Sequence, residues 1–337
     1  MKKKIKLMEV CGTHTMAIAR AGIKKLLPEG IELISGPGCP VCVTSQEDID
    51  RVVKIAALKD VIITTFGDMM RVPGSSMSLD QVRRQGADVR VVYSCIDSLD
   101  IAEQSPSKKV VFMGVGFETT SPTIAATVLE AKRRKVRNFF VLANFKVLFP
   151  ALELLASSDR IKVDGFICPG HVSVITGSVP YEKIAKRYGK PCVITGFDED
   201  DIVKGIKRLV NQVKKGVSTV EIEYKRAVKK EGNLTAKRVL RKVFQVRDTA
   251  WRGIGIIKKS GLKLRKEYAK FDAEKEFKVK VPKPALPKGC ICGEVLQGIA
   301  SPADCKLFRK KCTPTSPVGP CMVSSEGTCA AYFKYGG

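Results

Sequence analysis

The residues best equipped for chemistry in this 337-residue chain are its twelve cysteines, six of which fall within the last 48 positions. They read Cys290-Ile-Cys292, then Cys305, Cys312, Cys321 and Cys329; four of them, Cys290, Cys305, Cys312 and Cys329, follow C-x14-C-x6-C-x16-C. In a reducing compartment, clustered thiols bind metal or do redox chemistry more often than they form disulfides. An all-thiolate tetrad serves zinc or an iron–sulfur cluster, and softness alone does not separate the two. Zinc knuckles favour paired C-x2-C hooks, which this tail lacks. The long, irregular spacings better fit a [4Fe-4S] cube on that tetrad, with Cys292 and Cys321 left as a redox-active thiol pair. A zinc or purely structural site is the alternative. Histidine is confined to His14 and His171, so a histidine-rich zinc site is excluded.

Three loops carry the other reactive side chains. Gly36-Pro-Gly-Cys39-Pro-Val-Cys42 follows a strand candidate, and Thr44-Ser-Gln-Glu47 has capping-box spacing for a helix beginning just after the thiols. A helix start favours thiolate and a C-x-x-C pair closes readily, so an exposed redox loop is expected, with an inert buried pair as the alternative. Cys11-Gly-Thr-His14 ends the first strand candidate. One thiolate and one imidazole can bind a single iron with open positions or activate the thiol, or His14 can simply hydrogen-bond the loop. His171, in Cys168-Pro-Gly-His171, sits in a similar loop, and structural and functional roles stand level for it. The third loop, Gly114-Val-Gly-Phe-Glu118-Thr-Thr-Ser-Pro122, resembles a phosphate loop only superficially. It lacks G-x-G-x-x-G and the Walker lysine, and Glu118 would repel phosphate, so ATP binding is rejected. Thr119 and Thr120 are candidate caps or donors to a bound group, while Cys95, Cys168 and Cys192 read as core cysteines.

These loops need a frame, and the pattern supplies one. Strand candidates at Ile31–Ser35, Val61–Thr65, Val89–Tyr93, Val110–Met113, Phe139–Ala143, Gly165–Cys168 and Cys192–Thr195 alternate with helix-like stretches such as Ser45–Leu58, Thr123–Lys135 and Glu199–Lys215. Such alternation predicts parallel sheets covered by helices, an α/β architecture. A seam at Ser105–Lys109 divides it into 1–108 and 109–216. Residues 217–337 then form a third unit: a basic segment, the Pro/Lys linker Val281–Pro287 and the cysteine tail, too poor in core to hold a shape without metal or crosslinks.

Composition bounds the rest. The 59 basic and 34 acidic residues leave a net charge of +25, with 21 Lys/Arg against 8 Asp/Glu in 217–289. The surplus reads as a solvated basic surface; with 7% aromatic residues and no RNA or DNA motif, nucleic acid is disfavoured. No apolar run approaches the roughly eighteen residues of a membrane helix, and Glu9 interrupts any signal-peptide core, so a cytoplasmic protein is expected.

The ordered motifs resemble the HypD family of hydrogenase maturation factors across essentially the whole chain. They are Cys11-Gly-Thr-His14, Gly36-Pro-Gly-Cys-Pro-Val-Cys42, Gly116-Phe-Glu-Thr-Thr120, Pro169-Gly-His171, Trp251-Arg-Gly-Ile-Gly255 and Cys321-Met-Val-Ser-Ser-Glu326-Gly. The resemblance implies two Rossmann-like α/β domains around a cleft and a [4Fe-4S] domain similar to that of ferredoxin–thioredoxin reductase. It implies assembly of the Fe(CN)2CO group of [NiFe]-hydrogenases, with a HypC-type chaperone sharing the iron, a HypE-type partner delivering cyanide, and the hydrogenase large subunit as indirect recipient. By motif match, Cys11 is the candidate ligand of the transient iron that carries CN and CO, with His14 beside it, and Cys39/Cys42 form the cleft dithiol. Glu118, His171 and Glu326 occupy polar motif positions. A maturation scaffold with redox thiols is implied; a free-standing iron–sulfur thiol–disulfide reductase is the rival.

Overall fold

The computed structural model describes residues 4–281, 284 and 287–336. The very start of the basic N-terminus and part of the Pro/Lys linker lie outside the described residues. Eleven strands are formed among them: β1 Ile5–Glu9, β2 Ile31–Ser35, β3 Val61–Thr65, β4 Asp88–Val91, β5 Lys109–Gly114, β6 Phe139–Ala143, β7 Gly165–Pro169, β8 Cys192–Thr195, β9 Val220–Ile222, β10 Phe244–Trp251 and β11 Gly255–Leu264. β3, β6 and β7 are buried along their whole length, as strands covered by helices on both faces must be, which is why they lack the apolar–polar alternation of a half-exposed strand.

The strands build two parallel sheets and one hairpin. The first sheet has the order β2-β1-β7-β8-β9 and the second β4-β3-β5-β6, so the expected pair of parallel-sheet domains is present. Their membership differs from the division expected at 108/109. β1 pairs with both β2 and β7, so the first sheet gathers chain from both sides of the second. β3 pairs with β5 from Val61↔Lys109 to Thr64↔Phe112, directly across the expected seam. Polar Ser105–Lys109 is a turn returning the chain to its own sheet, and turn chemistry alone does not mark a domain boundary.

Residues 217–337 likewise do not form one unit. β9 extends the first sheet, and the helix Leu234–Val243 packs on the helix Ser121–Arg134. The stretch read as a basic segment is a long antiparallel hairpin, β10–β11, with a bulge between Arg247 and Thr249. Phe244, Leu262 and Leu264 join Phe145 and Phe271 in the second sheet's core, and the Trp251 indole donates to Ser260 Oγ at 2.8 Å. Exposed charged residues between these anchors disguise the strand pattern. Gly253 and Gly255, at φ +71° and +107°, supply the left-handed turn that joins the strands. Only residues 287–336 make a separate cysteine unit, with short helices at Cys292–Leu296 and Thr328–Tyr335. Cys95, Cys168 and Cys192 are buried in the body, as core cysteines should be.

Candidate functional site

The carboxyl ends of both sheets face a common cleft, the position where open α/β sheets place their ligands. Its cavity of about 390 Å³ is walled by Cys11, Thr13, Gly38 and Pro40 after β1 and β2, by Phe117, Thr119 and Thr120 after β5, by Pro169 and His171 at β7, and by Glu326. Glu326 is the contribution of the cysteine unit. Its Oε1 accepts from Thr13 Oγ1 at 2.7 Å. The approach is so close that a Cβ on Gly12 would stand 2.6 Å from Glu326 Cβ, and one on Gly38 would stand 2.1 Å from the Cys11 nitrogen. Glycine at both positions is a packing requirement.

Cys11 caps the helix Gly12–Arg20 in extended conformation, and the backbone N–H groups of His14 and Thr13 face its sulfur. Burial nevertheless pushes its thiol up to about 12, and the neighbouring carboxylates of Glu326 and Glu9 add to the rise. Glu9 lies directly behind, accepting from Thr15 Oγ1 at 2.6 Å and the Cys11 N–H at 3.2 Å. Burial raises its own carboxyl to about 7. A bound cation would offset the cost of ionising this buried sulfur beside two carboxyl groups, and thiol softness favours a transition metal. Glu9 was not singled out from sequence; the signal was an acid ending an otherwise buried strand.

His14 does not line the cleft. It is completely buried, its Nε2 lies 2.7 Å from Gly196 O and 2.9 Å from Thr195 Oγ1, and burial lowers it to about 4. Its partners are at the end of β8, 181 and 182 positions away, so neither the metal-binding nor the own-loop hydrogen-bonding reading describes it. His171 is on the cleft wall, stacked on Phe197 at 4.0 Å, and Phe197 in turn stacks on His14 at 4.7 Å. Glu118 sits just behind that wall. Its Oε1 accepts from Leu148 N at 3.0 Å, its Oε2 is buried without a partner among the described residues, and burial raises the carboxyl to about 7.

The C-x-x-C loop differs from expectation. Cys39 and Cys42 are 3% and 0% exposed, not displayed on the surface. Cys39 caps a single helical turn, Pro40–Val43, and its sulfur accepts from the Cys42 N–H at 3.3 Å; the longer helix Gln46–Ala56 is capped separately by Ser45. Cys42 is pushed up by burial and by the neighbouring Cys321 and Cys39 sulfurs, so the thiolate expected from the helix start is not favoured there. The cause is distant in sequence: Pro320 and Cys321 of the cysteine unit pack onto the turn, with Cys42 Sγ 3.9 Å from Pro320 O.

All six terminal cysteines line one small apolar cavity with Val295, Leu307 and Phe308. The proposed spare pair is not a pair here: Cys292 meets Cys290, while Cys321 meets both Cys329 and Cys42. Cys290 is pushed down to about 7 chiefly by its hydrogen bond from Cys292, and Cys321 is lowered by the bonds from Cys329 and Cys42. Among the described residues no three His, Cys, Asp or Glu side chains converge as a ready-made single-ion site. The sulfurs ring the cavity instead. An all-sulfur, carboxylate-free lining fits a thiophilic metal or an iron–sulfur cluster, and any of the six could serve as a ligand.

Fold and site together define a thiol-bearing α/β scaffold: two parallel sheets opening on a cleft, closed by a cysteine-rich unit that reaches into it. The family profile described as "HypD: Hydrogenase formation hypA family" matches residues 1–336. The chain is 45% identical to the hydrogenase maturation factor HypD of Escherichia coli K12 over 335 residues, covering 99% of this chain and 90% of that protein. It is also 45% identical to HypD of Cupriavidus necator, over 98% and 89% of the two chains. The protein belongs to the HypD family and is a hydrogenase maturation factor. Among the described residues no helix is long and apolar enough to cross a membrane.

Proposed function

We propose that this protein is the scaffold on which the Fe(CN)2CO group of [NiFe]-hydrogenase is assembled. The iron is the substrate, held at Cys11 together with a HypC-type chaperone; a HypE-type partner brings cyanide, and the product passes on to the hydrogenase large subunit. Glu326 and His171 share the cleft wall with Cys11, and Glu9 and Glu118 stand behind it. The cavity leaves room for small ligands beside the sulfur.

The observation that carries the reading is a line of thiols linking the two halves of the chemistry: Cys329 meets Cys321, Cys321 meets Cys42, and Cys42 lies one helical turn from Cys39. Cys39 is buried directly behind the cleft wall, between its sequence neighbours Gly38 and Pro40, which line the cavity. A [4Fe-4S] cluster bound by Cys290, Cys305, Cys312 and Cys329 would supply single electrons. Within the chain, the Cys321 thiolate is placed to attack a Cys39–Cys42 disulfide at the Cys42 sulfur. The Cys39–Cys42 bond breaks, a Cys42–Cys321 bond forms, and Cys39 leaves as thiolate with no net oxidation. Burial of both cleft thiols argues against the rival, a free-standing reductase of generic disulfides, since such substrates would have no access to them.

The test is anaerobic co-expression with a HypC-type protein, followed by pull-down and infrared spectroscopy. A stable complex carrying bands of iron-bound cyanide and CO is expected. Protein that binds no such partner yet turns over generic disulfides would favour the reductase.

A further inference from the structure

Arg252 occupies the turn between β10 and β11 and is 2% exposed. Its position is fixed from two sides. Its N–H donates to Val43 O at 3.0 Å, at the end of the Cys39–Val43 turn, and its Nη2 bonds Gln46 Oε1 and lies 3.5 Å from Pro73 O. On the other side Gly253 lies backbone to backbone against Gly293, where a Cβ on Gly253 would stand 2.5 Å from Gly293 Cα. The hairpin turn thus joins the C-x-x-C helix to the cysteine unit.

The guanidinium is only partly used. Nε and Nη1 are buried and have no hydrogen-bond partner among the described residues. A guanidinium stays charged in proteins, and leaving its donors buried and unpaired is costly unless negative charge is nearby. Burial works against the charge, and the groups that favour it are Cys292 first, then Cys321, Cys290 and Asp50. Asp50 is engaged elsewhere, with its two oxygens each 2.6 Å from Ser75 N or Oγ. The cysteine cavity is what remains for the free donors to serve.

We propose that Arg252 is the counter-cation of the cysteine cavity, stabilising the negative charge its sulfur-bound cluster gains on one-electron reduction and so setting that site's reduction potential. This rests on the cluster reading given above. One electron from a low-potential one-electron donor adds one negative charge, with no bond made or broken. In a low-dielectric pocket a fixed cation favours the reduced form. Arg252 is a positioning residue: it acts on the cavity and touches no substrate.

The test is the midpoint potential of anaerobically purified, cluster-loaded protein, followed by visible and EPR spectroscopy. Arg252→Met should lower the reduced-to-oxidised ratio at fixed potential at least tenfold, a shift of about 59 mV to more negative values for one electron. Arg252→Lys should lie near the parent, and Gln46→Ala, which removes an anchor but no charge, should leave the potential unmoved. A loaded Arg252→Met protein with the parental potential, or an equal shift in Gln46→Ala, would overturn the proposal. If Arg252→Met does not load, Arg252→Gln carries the same comparison. Loading by the Lys variant alone would support a need for charge, and failure of all three would show that shape matters instead. Unsubstituted protein that binds only zinc would refute the cluster reading itself, an outcome separate from these.

Discussion

The two-sheet body and the cysteine unit are stabilised in different ways. In the body, the helix Glu199–Lys215 buries Ile202, Ile206 and Leu209, at helical spacing, against Leu7, Ile167 and Val193 from the three adjacent strands β1, β7 and β8. Each fully buried side chain of this kind contributes about 1.5–3 kcal/mol. Residues 287–336 have no layer of their own; Leu296 and Val323 join the body's core. Their buried apolar side chains are few, chiefly Val295, Leu296, Met322 and Val323, and three of the other buried groups are Cys292, Cys312 and Cys321. A unit of that size needs a staple. The body can hold its two sheets by itself, while the cluster reading predicts that the unit's order, and with it the placement of Glu326 and Cys321 against the body, depends on what its sulfurs bind.

The largest expected effect breaks that contrast at its weaker side. Cys305→Ser combined with Cys312→Ser should abolish metal loading and expose 287–336 to limited proteolysis, while the two-sheet body stays resistant, because metal binding is folding energy for such a unit. Equal resistance with and without metal would show that the unit holds itself together. On the body's side, Leu209→Ala should cost about 2–5 kcal/mol in denaturant unfolding and leave metal content unchanged in the folded protein. A loss below about 1 kcal/mol would mean that the helix is not anchored as described.

A smaller effect tests the body just behind the cleft wall. Glu118 is raised from 4.5 to about 7 by burial, so the folded state holds its proton more tightly than the unfolded state. Its contribution is fully present below about pH 4.5, is lost as pH rises to about 7, and is absent above. Glu118→Gln keeps the acceptor for Leu148 and removes the charge. The variant should gain roughly 1–3 kcal/mol over the parent at pH 8 and little at pH 4.5. The same difference at both pH values would rule out a buried, proton-holding carboxyl.

The same contrast explains what the sequence could show. β3, β6 and β8 fall where their sequences place them, because a parallel strand covered on both faces is specified by its own residues, and the half-buried edge strand β2 matches as well. The hairpin β10–β11 escaped notice because Phe244, Trp251, Leu262 and Leu264 are separated by charged side chains that the edge of the body tolerates. Cys11 and His171 were legible as cleft-lining candidates because their motifs end strands, and Glu326 only through the family resemblance. The burial of Cys39 and Cys42 was not, since Pro320 and Cys321 cover them from 278 positions away in sequence. His14 was assigned to the thiol beside it, whereas its partner is the end of β8, 182 positions on. Arg252 lay within the Trp251–Gly255 motif, but no spacing rule points from a hairpin turn to a cysteine cavity.

The central claim is that iron is modified at Cys11, and the most direct measurement is infrared spectroscopy of the Cys11→Ser protein co-purified anaerobically with its HypC-type partner. A serine hydroxyl, mostly protonated at neutral pH, is a poor ligand for low-spin iron. Cys11 caps a helix without a side-chain cap bond, so the substitution should leave the fold, the metal content of the cysteine unit and at least part of the partner binding in place. The account predicts a folded complex with no bands from iron-bound cyanide or CO. A folded complex that still shows those bands would contradict it and turn attention to the buried thiols behind the cleft, Cys39 or Cys42.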